Sequence, residues 1–153
     1  MSLLLLLVAC TSSEKETGDS AGTPTTECTG PGALDLTVAM TTDLQVSMDE
    51  PAVGTFRGSV YAEADASAIG PNDGASSLLD FTIEGVDLTT GVDADVSTTD
   101  PIDPQIVWVL GCLDSDANDC DTNDAVTIPN ENKVAVVCGD PTPFEIYLGI
   151  LQP

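Results

Sequence analysis

From Leu34 onward, apolar and polar residues alternate along the chain. Leu34, Leu36, Val38 and Met40 are separated by Asp35, Thr37 and Ala39. Leu44, Val46 and Met48 repeat the pattern around Gln45 and Ser47. Successive side chains of a strand point to opposite faces, so a period of two predicts half-buried β-strands. Thr41, Thr42 and Asp43 form the expected tight turn between these two. In GTFRGSVYAEAD, Phe56, Val60 and Ala62 share one face, and Arg57, Ser59, Tyr61 and Glu63 the other. Leu79, Phe81 and Ile83 alternate with Asp80, Thr82 and Glu84; Val92, Ala94 and Val96 alternate with Asp93 and Asp95.

The run IVWVL at 106–110 is apolar on both faces and holds the single Trp of the chain, Trp108. Such a run predicts a central strand covered on both sides, with Trp108 packed in the core. The segments AVTI, KVAVVC and PFEIYLGIL follow as further strands, with PNEN as a turn between the first two. AEADASAI at 62–69 is the one helical rival, but it is short and has no apolar stripe. Strands separated by Gly, Pro and Asp turns predict an all-β domain, an antiparallel β-sandwich of about eight or nine strands. Its overall look is similar to the Ig-like or transthyretin-like sandwiches of bacterial surface lipoproteins, a likeness of architecture that carries no activity.

Charge narrows the function. Lys and Arg total 3 against 26 Asp and Glu, a formal net charge of −23, and the chain has no His. A surface this acidic repels phosphate backbones, which excludes nucleic acid as a partner. It also repels anionic headgroups, so a purely electrostatic membrane contact is excluded. Without His, Ser–His and Cys–His nucleophile systems cannot be assembled within the chain. A non-enzymatic protein is the expectation.

The N-terminus reads as an address. The run LLLLLV at 3–8 is too short to span a bilayer. It is followed by the small residue Ala9 and then Cys10, as a cleavable export signal requires. Leu7-Val8-Ala9-Cys10 resembles the lipobox of bacterial lipoproteins. The resemblance implies cleavage before Cys10 and lipidation of its thiol and new amine. Thr11, rather than Asp, follows the Cys and in that family favours the outer membrane. No Lys or Arg precedes the apolar run, so a basic segment is expected upstream of Met1. An apolar N-terminal strand with a buried Cys is the competing reading of these residues. The expected organisation is a signal peptide at 1–9, lipidated Cys10 with a polar tether at 10–27, and the sandwich at 28–153. The tether, rich in Ser, Thr, Gly and acid, has no large apolar side chain with which to bury a core.

An exported chain with Cys28, Cys112, Cys120 and Cys138 is expected to form two disulfides. Cys112–Cys120 with Cys28–Cys138 is favoured; Cys28–Cys112 with Cys120–Cys138 stays open. Between Cys112 and Cys120 lies an acidic turn. Asp114, Asp116, Asn118 and Asp121 are spaced so that their oxygens could converge on one calcium ion. The turn departs from the EF-hand pattern, with Asp119 where Gly belongs and Ala125 where a bidentate Glu belongs. Asp and Asn also favour plain solvated turns, the competing reading. Asp93 and Asp95 share a strand face but have no visible cleft for glycosidase chemistry. Tyr61, Trp108 and Tyr147 could stack sugar rings.

The expected protein is therefore an envelope component at the bacterial outer membrane or cell surface, held through its lipid and used for adhesion, scaffolding or partner binding. The alternative is a calcium-dependent module for a glycan or envelope ligand, with calcium as its one expected cofactor.

Overall fold

The computed structural model describes residues 29–48, 52–93, 95–122 and 124–152. The signal, Cys10, the tether and Cys28 lie outside the described residues.

Among the described residues ten strands follow one another, with one α-helix near the start. They are β1 (Leu34–Met40), α1 (Thr42–Ser47), β2 (Val53–Ala62), β3 (Ala66–Ser67), β4 (Gly70–Pro71), β5 (Leu79–Asp87), β6 (Ser97–Thr98), β7 (Ile106–Asp114), β8 (Ala125–Thr127), β9 (Lys133–Ala135) and β10 (Thr142–Leu151). Eight of them form one sheet in the order β5-β2-β7-β8-β10-β1-β6, with β9 on β7; β3 and β4 make a separate small hairpin. The sheet curls nearly into a barrel, and its two terminal strands, β5 and β6, line one cleft together.

The all-β class holds. Eight of the strands belong to one mixed sheet, however, rather than to a purely antiparallel arrangement. β1 and β10 run parallel over seven residues, from Leu34 opposite Thr142 to Met40 opposite Leu148. A parallel pair needs a long crossover, and here nearly the whole domain lies between its two members.

Curling gives the sheet an inside. Leu34, Leu36 and Val38 of β1, Phe56 and Val60 of β2, Val107, Val109 and Leu113 of β7, and Ile146 and Leu148 of β10 meet there, all essentially inaccessible. Each fully buried side chain of this kind stabilises the fold by roughly 1.5–3 kcal/mol. Phe56 is the largest, and it leaves no space beside it. A Cβ on Gly58 would meet the rings of Phe56 and Phe81, and one on Gly111 would meet the Arg57 carbonyl and Phe56. β2 and β7 thus approach closely because both carry glycine where they face this ring.

Among the described residues two expected strands are absent. Residues 42–47 form α1, although Leu44, Val46 and Met48 alternate. The Thr41 hydroxyl accepts the Leu44 N–H (3.1 Å), an N-cap, and Asp43 sits in the first turn where the helix dipole favours an acid. Only Leu44 is buried, and Val46 is 81% exposed, so no second apolar face was needed. Around Val92 a single bridge to Ala39 replaces the expected strand, and regular pairing resumes only at β6. Asp93 explains this: its carboxylate accepts the Asp87 and Asp95 amides (3.1 and 2.9 Å), which bends the chain instead of extending it.

The run 106–110 is the central strand it was expected to be. β7 pairs with β2 along its length and with β8 and β9 on its other edge. Trp108 is buried, but it points outward from the curled sheet. It packs with Leu110, Ala66 and Tyr61 in a second cluster outside the main core. The segment 63–67 folds over it, and the indole N–H donates to the Glu63 carbonyl (3.2 Å). Lys133 lies 5.1 Å from the ring centroid while pairing with Glu63 (2.5 Å).

Candidate functional site

β7 ends at Asp114, and the chain turns through 115–119 before returning at β8. Cys112 and Cys120 close this turn with a disulfide, their Cα atoms 6.0 Å apart. Cys138 is disulfide-bonded too, and its expected partner Cys28 lies outside the described residues. Within the turn, Ala117 and Asp119 both adopt positive φ (63° and 70°). Asp tolerates this conformation through local hydrogen bonding, whereas Ala gains nothing from it.

The four residues expected to share an ion occupy different surroundings. Asp114 is buried at 2% exposure; Asp116, Asn118 and Asp121 are exposed. Asp114 Oδ2 accepts the Arg57 Nε–H at 2.8 Å, and Arg57 Nη2 lies 3.4 Å from Asp119. The register places Arg57 opposite Cys112, so its side chain reaches diagonally to the end of β7. Asn118 donates its amide to Asp116 (2.7 Å) and Asp121 (3.0 Å), and its backbone N–H also meets Asp116 (3.3 Å). An amide nitrogen thus lies between carboxylates that a cation would bring together. Among the described residues no group of three or more Asp, Glu or Cys is arranged to hold a metal ion.

The electrostatics of the turn divide its two buried acids. The Arg57 hydrogen bond holds the Asp114 carboxyl below its usual range against the cost of burial, with help from the Ala117 and Asn118 amides. Among the described residues, however, no hydrogen bond of ordinary length and angle reaches the buried Asp114 Oδ1. Burial pushes Asp124 the other way, upward, and the negative charges of Asp114 and Asp121 add to the rise. Asp124 Oδ2 accepts the Asp121 N–H (2.8 Å), and the Asp124 carbonyl accepts the Gln152 N–H (2.8 Å). It therefore ties the turn to the end of β10.

The other sequence candidates have structural employment. Asp93 is engaged by backbone amides, as described, and Asp95 is exposed. Trp108 is covered on its outer side, while Tyr61 and Tyr147 are half-buried on separate strands. Among the described residues no helix is long and apolar enough to cross a membrane.

Sequence reasoning missed Arg57 and Asn132. Arg57 carried a signal: it is one of only three cations in the chain, so it must choose among many acids. Asn132 carried none. It is fully buried, and its side chain donates to the Ile128 and Tyr147 carbonyls and accepts the Tyr147 N–H, each at 2.8 Å.

Comparison of the chain with protein-family models, with curated proteins and with solved structures finds no match.

Proposed function

We propose that the chain is a lipid-anchored protein of the bacterial cell envelope, non-enzymatic, serving adhesion, scaffolding or partner binding at the outer membrane or cell surface. The observation that carries the reading is Leu7-Val8-Ala9-Cys10 at the end of a short apolar run, followed by a polar stretch without large apolar residues. The Cys112–Cys120 disulfide supports it, because such bonds persist in oxidising compartments. The absence of His and the structural use of Asp93 support a role without catalysis. Stable attachment needs more than one lipid chain, each buried CH₂ contributing about 0.8 kcal/mol, and lipidation at Cys10 would supply them. An anchor of that strength overrides the repulsion between this acidic chain and anionic headgroups. The strands admit an Ig-like or transthyretin-like reading, in which opposite walls of the curled sheet act as two facing layers.

Mass spectrometry of the protein from native cells tests this. The expected species begins at Cys10 and carries acyl mass; Cys10→Ser leaves the signal uncleaved. An unprocessed Met1 with free thiols at Cys28 and Cys138 overturns the reading.

A calcium-dependent glycan or envelope-ligand module is the second reading, favoured by one observation, the orphaned Asp114 Oδ1. It ranks lower because Arg57 already pairs with Asp114 and the Asn118 amide already bridges Asp116 and Asp121. Calcium that raises the melting midpoint beyond NaCl of matched ionic strength would promote it.

A further inference from the structure

We infer that the seam where the curled sheet fails to close, between β5 and β6, receives a short extended segment of a cationic partner. This deepens the partner-binding reading and rests on it.

β5 is nine residues long and among the described residues pairs with one strand, β2, its other edge being met only at Asp87 by the Asp93 carboxylate. β6, at the other end of the sheet, pairs for two residues with β1. Between them lies an open cleft of about 220 Å³ that reaches down to Leu36 of the core. Half-buried Leu79 and Phe81 stand on its β5 wall and Thr98 on its β6 wall. A strand edge presents unpaired backbone donors and acceptors, and an extended peptide satisfies them by adding to the ladder. Its alternate side chains would then point inward, where the cleft offers apolar surface, and outward.

Charge selects the occupant. Asp80 and Asp100 flank the cleft, and Thr82 and Glu84 continue the exposed face of β5. Asp80 is held ionised by the Ser59 hydroxyl (2.6 Å), which depresses its pKa together with Ser77. The described cations are already engaged, Arg57 by Asp114 and Lys133 by Glu63. A second copy of the chain would set acid against acid along this edge, and like charges directly opposite are destabilising. A segment alternating Lys or Arg with apolar residues meets no such penalty.

The test uses the full chain and a synthetic eight-residue peptide alternating Lys and Val. An otherwise identical Glu/Val peptide and a Lys/Val peptide interrupted by Pro serve as controls. Hydrogen exchange at 79–82 and the dissociation constant are read together. The Lys/Val peptide is expected to slow exchange selectively at those amides. Asp80→Lys with Asp100→Lys should weaken it tenfold or more. Asp116→Lys with Glu131→Lys, an equal change in net charge at the acidic turn and beside β9, should weaken it far less. Each double variant removes one partnered surface acceptor, Asp80 from the Ser59 hydroxyl and Asp116 from the Asn118 amide, and melting curves verify folding of both. Equal weakening by the two double variants, protection spread over the whole surface, or full binding by the Pro-interrupted peptide overturns the inference. Processing at Cys10 is read separately, so loss of the seam with cleavage intact removes the seam alone.

Discussion

Asn132 offers the sharpest test of how this fold is held. Its carboxamide spans the gap between the 129–131 turn and β10, and it supplies both a donor and an acceptor to Tyr147. β10 pairs with β8 only from Leu148 onward, with a register shift before Ile150. At Tyr147 the amide takes up the strand N–H and shares the carbonyl with the Ile128 N–H (3.1 Å). Replacing Asn132 by Ala removes three hydrogen bonds of about 1 kcal/mol each and leaves the Tyr147 N–H without that acceptor. The expected loss is about 3–5 kcal/mol. For a domain of this size that lowers the melting midpoint by roughly 10–20 °C. Guanidinium unfolding without reductant gives the free energy, and exchange of the Tyr147 amide locates the damage. Asn132→Asp keeps the acceptor but buries a charge against two carbonyls, so at neutral pH it should be at least as damaging. It should recover in acid, where a protonated carboxyl can donate. A loss below about 1 kcal/mol for Asn132→Ala, with Tyr147 exchange unchanged, would refute the account.

The two buried acids of the turn predict opposite pH responses. Asp114 has a depressed folded pKa, so its contribution is present above its unfolded value of 3.8 and is lost as pH falls through the lower folded value. Asp114→Asn should therefore destabilise at neutral pH and flatten the acid limb of the stability curve. Asp124 has a raised folded pKa, so its ionisation opposes folding above that value and the penalty disappears as pH falls through it. Asp124→Asn should thus gain relative to the parent at neutral pH, and the difference should shrink in acid; urea midpoints across pH 3–8 measure both, and matching slopes would contradict the assignment. In the core, Gly111→Ala should cost more than Gly58→Ala, because its methyl meets a strand carbonyl as well as a ring, whereas Gly58 faces rings that can shift. Overpacking of this kind costs about 1–3 kcal/mol, read by chemical denaturation, and a reversed order would count against the close approach of β2 and β7.

Local pattern determined the elements whose signal is unambiguous. The alternation of Phe56 and Val60 with Arg57 and Ser59 fixes the two faces of β2, and the doubly apolar run 106–110 marks the central strand. The spacing of Cys112 and Cys120 around an Asp-rich turn was enough to expect their bond. Period two fails as a guide when only one of its apolar residues finds a core. Leu44 does and Val46 does not, so the Thr41 cap and the acid at Asp43 prevail and α1 forms. Trp108 shows the same limit: its strand needs cover on both faces, but which face holds the main core depends on the direction of the curl. The parallel pairing of β1 with β10, the diagonal reach of Arg57 to Asp114 and the grip of Asn132 on Tyr147 join residues remote in sequence. No short window of sequence contains both partners of such a contact. Their pairing is set by how the sheet closes, and only the tertiary structure decides that.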